Sequence, residues 1–171
     1  MLVDTHCHLD FDKFDADRDE VVARANAAGV TRIVVPALDL DNCVAVLKLA
    51  ERYPGVYAAV GVHPNSTAEW HDAWIEQLRE LAVHEKVVAI GEIGLDYYWD
   101  KSPPEVQKQA FKAQLRLASE LDLPVIIHNR ESDDDVLSIL KRSEHSERER
   151  PGVLHSFSST WDMAEEAIEL G

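Results

Sequence analysis

Two imidazoles, His6 and His8, stand two residues apart just after the apolar pair Leu2-Val3. In an extended strand, residues i and i+2 point to the same face, so both rings project together. Two imidazoles so placed can bind one metal ion, although an isolated pair can equally be ordinary polar residues at a strand end. Further along, Ala89-Ile-Gly-Glu92-Ile-Gly-Leu-Asp96 sets a carboxylate inside an apolar run. That is costly unless the group is coordinated or salt-bridged to a strand neighbour. The flanking glycines leave room for a close backbone approach. Asp96 shares the parity of Glu92 and reads as a group that supports a ligand or caps a helix. Val125-Ile-Ile-His128-Asn-Arg130, Gly152-Val-Leu-His155 and Gly61-Val-His63-Pro64 each bring an apolar run to a histidine. One such histidine is commonly structural, but several at the same place in successive units point to a His/carboxylate metal cluster. His71, His84 and His145 fall in helical or loop patterns and read as solvated. Cys7 alternates to the face opposite His6 and His8 and reads as packed. The sequence holds no Gly-rich phosphate loop, Gly-x-Ser-x-Gly elbow or Cys-x-x-Cys pair.

Such residues need a scaffold that brings distant strand ends together. Short β-branched runs recur at Leu2-Val3, Thr31–Val35, Val56–Val62, Val87–Ile93, Pro124–Ile127 and Gly152–Leu154. They are continuously apolar, the form of strands buried on both faces of a parallel sheet. Helical patterns fill the gaps. Val21, Val22, Ala25 and Ala28 share a face before a stop at Gly29, and Asp41 caps a stretch carrying Val44 and Leu47. Trp74, Leu78 and Leu81 repeat at helical spacing. Ser102-Pro-Pro-Glu105 reads as a capping box ahead of a stripe of Val106, Ala110, Ala113, Leu117 and Leu121. Val136, Leu137 and Leu140 mark a fifth helix, and Met163, Ala167 and Leu170 a sixth with Gly171 as its stop. Strict β-α alternation means α/β, with chemistry at the carboxyl ends of the strands. Six units fall short of a (β/α)₈ barrel of about 250 residues. The expectation is one domain over 1–171, either an open sheet or most of a barrel with its last quarter absent.

The chain has 171 residues, 17 basic and 32 acidic, for a net charge of −15, and 46% of it is hydrophobic. That composition is globular, and a domain of this size buries roughly 70% of its unfolded surface without staples. The acidic balance argues against nonspecific duplex binding through a basic face. Bound metal can still supply positive charge locally. Two cysteines make no disulfide framework, and no signal peptide or membrane-length apolar run is present. A cytoplasmic protein with neither membrane nor obligate protein partner is expected.

The motifs Asp4-Thr-His-Cys-His-Leu9, Gly61-Val-His-Pro64, Ile90-Gly-Glu-Ile-Gly-Leu-Asp96, Ile127-His-Asn-Arg130 and Leu154-His-Ser-Phe157 together resemble the TatD family of metal-dependent deoxyribonucleases. The resemblance runs along the whole chain in order. It implies an amidohydrolase-type (β/α)₈ barrel, with about six of its eight units here. It also implies two divalent ions of zinc, manganese, magnesium or iron, His6 and His8 on one, His128 and His155 on the other. Glu92 bridges them at the catalytic centre, and His63 and Arg130 handle the scissile phosphate. The substrate implied is DNA, as single strands or frayed ends. A family Thr-Asp-x-Pro motif, whose Asp is a metal ligand and proton acceptor, has no counterpart in these 171 residues. The chain alone is therefore expected to be a slow nuclease. A related metal barrel that cleaves amides or acyl esters, including aminoacyl-RNA, and a metal-binding chain without turnover are the alternatives.

Overall fold

The computed structural model describes the backbone of residues 1–171 and every side chain except that of Glu147. Six strands alternate with six helices in chain order. They are β1 (Leu2–Asp4), α1 (Arg18–Ala27), β2 (Val30–Pro36), α2 (Leu40–Arg52), β3 (Val56–Val60), α3 (Trp74–Ala82), β4 (Val87–Asp96), α4 (Pro104–Glu120), β5 (Val125–Arg130), α5 (Asp133–Lys141), β6 (Gly152–Leu154) and α6 (Trp161–Glu169). Every neighbouring pair is parallel, and the strands lie side by side in sequence order. A doubly wound sheet reverses its strand order at a switch point. This sheet has no reversal, so it is a barrel wall, not an open sheet. Its curl is large. In a flat sheet β1 and β6 would lie five steps of about 4.8 Å apart, yet the rings of His6 and His155, just past those two strands, stack at 3.9 Å. No described helix is long and apolar enough to cross a membrane.

Alternate strand positions face two different surroundings. Val35, Ala58, Val60, Ile90, Val125 and Ile127 pack with Val46, Leu49, Phe111, Leu115 and Val136 from the helices outside the wall. Between them Ala59, Ala89 and Ile126, with Val34, form a small separate cluster on the concave face. The alternation breaks twice within β4. Val87 packs on the helix side but Ala89, two residues on, packs on the concave side, where the register against β3 shifts, and a second break follows at once. Ile90 and Ile93 are three residues apart, yet both are buried on the helix side. The register against β5 shifts between them. Such breaks re-aim side chains; the two offset each other, so Glu92 and Asp96 lie on the concave side, at the parity opposite to Val87, Ile93 and Leu95.

Several expectations from the sequence are corrected. β1 and β6 are largely exposed, not buried on both faces, because each pairs with one strand only. The cap of α2 is Asp39, not Asp41. Asp39 is extended and accepts from the Asn42 N–H at 2.8 Å, while Asp41 lies inside the first turn. The box at Ser102 does not form, since Pro103 takes the cap position and Ser102 is buried, its carbonyl accepting from the Gln107 amide at 2.8 Å. His145 is not solvated. It is 1% exposed, 3.1 Å from the Ser119 hydroxyl and 2.6 Å from the Pro151 carbonyl, which ties the entry of β6 to α4. Burial pushes its pKa below the usual imidazole value.

Candidate metal centre

β1 ends at Asp4, whose carboxylate accepts from the His6 N–H at 3.1 Å and turns the chain so that His6 and His8 follow directly. Their Nε2 atoms lie 3.2 Å apart, and 3.4 and 3.6 Å from Oε2 of Glu92. Donors about 2.0–2.1 Å from a tetrahedral ion stand about 3.3 Å from one another. The three atoms therefore sit at the edge length of one coordination tetrahedron. The other Glu92 oxygen, Oε1, is 2.9 Å from His128 Nδ1 and 2.6 Å from His155 Nε2, and those nitrogens are 3.3 Å apart. Oε2 thus faces His6 and His8, while Oε1 faces His128 and His155, with a third imidazole, His63, farther off at 3.6 Å.

The proton balance at this carboxylate fits divalent metal. Burial works to raise the Glu92 carboxyl, but hydrogen bonds from His128, His155, His6 and His8 outweigh it and hold the group far below the usual carboxylate range. Burial also opposes a charged His128, yet Glu92 and Asp96 on either side of the ring raise its pKa. Four imidazoles around one carboxylate cannot all carry protons without repelling one another. A ring protonated on Nδ1 alone would turn the Nε2 lone pair toward the carboxylate oxygens. Nδ1 of His6, His8 and His155 is buried in each case and has no partner. With its proton on that atom, each ring leaves Nε2 free as a donor to a cation between the nitrogens and the carboxylate.

His63 also stands here, its Nε2 3.6 Å from Glu92 Oε1, and donor atoms of His63, Glu92 and His128 all lie within 4.8 Å of one another. Its proton says otherwise. The Asn65 N–H donates to His63 Nδ1 at 3.0 Å, so the neutral ring carries its proton on Nε2 and presents a donor to the site. Burial pushes its pKa down to about 4, with Glu92 opposing, so neutrality is its ordinary state. Asp96, 1% exposed, lies 2.9 Å from His128 Nε2 and accepts from Asn65 Nδ2 at 3.1 Å, holding the imidazole from behind. Burial works to raise its pKa, but the Trp99 N–H and His128 outweigh it and lower it.

Of the residues singled out from the sequence, the structure brings His6, His8, His63, Glu92, His128 and His155 to one point. Arg130 is not in that cluster. It lies two residues beyond His128 on the same face of β5, exposed, with its guanidinium carbon 3.8 Å from the Tyr98 ring centroid. The sequence reading missed two supporting groups. Asp10 accepts from Asn42 Nδ2 at 2.9 Å, and its other oxygen, buried without a hydrogen-bond partner, lies 4.0 Å from the unpartnered His8 Nδ1. Its parity with His6 and His8 was the available signal. Asn65 fixes both His63 and Asp96, and only its place after His63-Pro64 marked it.

The family model described as TatD related DNase matches residues 3–171. "Uncharacterized metal-dependent hydrolase YabD" of Bacillus subtilis (strain 168) is 43% identical over 170 residues, 99% of this chain and 66% of that protein. The "3'-5' ssDNA/RNA exonuclease TatD" of Musicola paradisiaca is 37% identical over 171 residues, 99% of this chain and 64% of that protein. Among solved structures, the TatD homologue YjjV of Escherichia coli K12 superposes with a TM-score of 0.89 at 41% identity, over 99% of this chain and 65% of that one. The chain thus spans about two thirds of the length of the relatives it matches.

Proposed function

Because the chain belongs to the TatD related DNase family, we propose that it is a metal-dependent hydrolase of phosphodiester bonds, acting on single-stranded or frayed DNA. One observation carries this reading. A single buried carboxylate, Glu92, turns one oxygen to His6 and His8 and the other to His128 and His155. Such a donor set would hold two divalent ions, His6 and His8 serving one and His128 and His155 the other, with Glu92 serving both. Imidazole with carboxylate suits zinc, manganese or iron, and magnesium with more water. Ions held there supply positive charge to phosphoryl oxygens and make hydroxide available near neutral pH.

The chain's own residues do the rest. His63 offers its Nε2–H to a phosphate oxygen, and its neutral state spares the site another charge. Asp96 and Asn65 hold His128 and His63 in place, so the donors are set before substrate arrives. Arg130, at the mouth, is placed to pair with a flanking phosphate and brings positive charge there in an otherwise acidic chain. Glu92 is committed to the ions. General-base help is typically worth about 10²–10⁴ in rate, so slow turnover is expected of these 171 residues. The free thiols of Cys7 and Cys43 suit a reducing, cytoplasmic setting.

The test is a parallel assay of single-stranded DNA, aminoacyl-RNA and small carboxylic esters, with the same added metal and a chelated control. Metal-dependent cleavage of DNA alone is the expected result. Hydrolysis of either ester with DNA left intact would assign the site to acyl chemistry.

A further inference from the structure

The exposed aromatic side chains are Phe11, Tyr98, Trp99, Phe157 and Trp161 among the described residues, and each follows the carboxyl end of β1, β4 or β6. Those are three of the strands that deliver the metal-centre residues. A scattering of surface rings by chance would not choose one end of the sheet.

Tyr98 and Trp99 are tied to the centre by the backbone. Both N–H groups donate to Oδ1 of Asp96 at 3.1 Å, and the other oxygen of Asp96 lies 2.9 Å from His128. Their rings are 49% and 47% exposed and meet edge to face at 4.8 Å. Cations lie beside them: Arg130 is 3.8 Å from the Tyr98 centroid and 5.6 Å from that of Trp99, and Lys101 is 5.8 Å from Trp99. Neither cation is ion-paired among the described residues, in a chain with 32 acidic groups to 17 basic ones. Two unpaired positive charges beside two wet π faces are the elements of a surface that tracks a polyanion and stacks its bases.

We infer that Tyr98, Trp99 and Arg130 form a stacking platform for an unpaired base, one nucleotide away from the phosphate held at the metal centre. This rests on the nucleic-acid reading above and adds what selects the strand. Arg130 stands two residues, about 7 Å, beyond His128 along β5, within reach of a neighbouring nucleotide. A base inside a duplex has both faces covered by its neighbours and cannot use such a platform, whereas a single strand or frayed end can. Every base has a π face, so the platform discriminates strandedness and not sequence.

The experiment measures equilibrium binding by fluorescence anisotropy, with and without added Mn²⁺, using two non-cleavable phosphorothioate probes. One is decathymidylate and the other an abasic chain with the same number of phosphates. The wild-type chain is expected to prefer decathymidylate. In Tyr98→Ala/Trp99→Ala the Kd for decathymidylate should rise by about 10-fold or more, while the abasic chain binds as before. Tyr98→Phe/Trp99→Phe should restore the preference. Circular dichroism verifies that the half-exposed substitutions leave the fold intact. Equal affinity of the wild type for both probes, or an alanine variant that keeps the preference, overturns the platform and leaves the nuclease reading standing. Binding of neither probe by the wild type, with or without metal, overturns the nuclease reading and the platform with it.

Discussion

Glu92→Gln is expected to remove both ions at once, with at least a 100-fold loss of affinity at each. The substitution keeps the shape of the side chain and removes its charge. One oxygen becomes an NH2 group whose protons point at an imidazole pair that must offer lone pairs to a cation, and the oxygen left to the other pair loses its charge. Changing a group that only supports a ligand costs about 10–100-fold in metal affinity, and Glu92 is proposed as a direct ligand on both sides. His128→Ala should behave differently. It removes a donor 2.9 Å from Oε1 and leaves the His6, His8 and Oε2 triplet intact, so one site should weaken chiefly and the other persist. Titration calorimetry separates the cases by stoichiometry. Loss of a single site in both variants would mean that Glu92 does not bridge.

Gly94→Ala should be the most damaging single methyl group in the chain, at about 2–5 kcal/mol of stability. Gly94 has φ +134°, and a Cβ there would lie 2.0 Å from the His128 carbonyl oxygen and 3.0 Å from its backbone carbon and nitrogen. The obstacle is the backbone of β5 at a proposed metal ligand. Relief requires β4 and β5 to part where Glu92 and His128 meet. Metal affinity should therefore fall with stability. Gly29→Ala is the control. Its φ is +90°, but nothing lies within 4 Å of the added carbon, so only local strain of about 1–2 kcal/mol is expected, with metal binding unchanged. Urea unfolding of both variants measures the contrast. A Gly94→Ala chain within about 0.5 kcal/mol of wild type, inside the range of ordinary surface substitutions, would mean that the strands are not held together here as tightly as the geometry requires.

How much of this was legible in the sequence depends on the kind of interaction. The clustering of the histidines was readable because their signal is local: an apolar run, then an imidazole, repeated in most units. The α/β class followed from the same alternation, which left an open sheet and a barrel both open until the family resemblance pointed to the barrel, and Gly29 and Gly171 end their helices where expected, at φ +90° and +94°. What failed depends on partners far along the chain. His145 looked like one more polar residue in a charged loop, because nothing nearby reveals that Ser119 and Pro151 enclose it. The bulge at Ile90–Ile93 was hidden as well. Strict alternation from Val87 places Ile90 on the concave side, and only the register shifts against β3 and β5 turn it to the helices. The capping errors are of the same kind. Asp39 and Asp41 both suit a helix start, and the backbone at Asp39 decides between them.

The most direct test of the account is to locate the metal. The chain would be purified without chelator, its metal content measured, and anomalous diffraction recorded at the absorption edge of the metal found. The account predicts two ions per chain on either side of Glu92, one held by Nε2 of His6 and His8 with Oε2, the other by His128 and His155 with Oε1. A single ion, or ions seated away from Glu92, would contradict it.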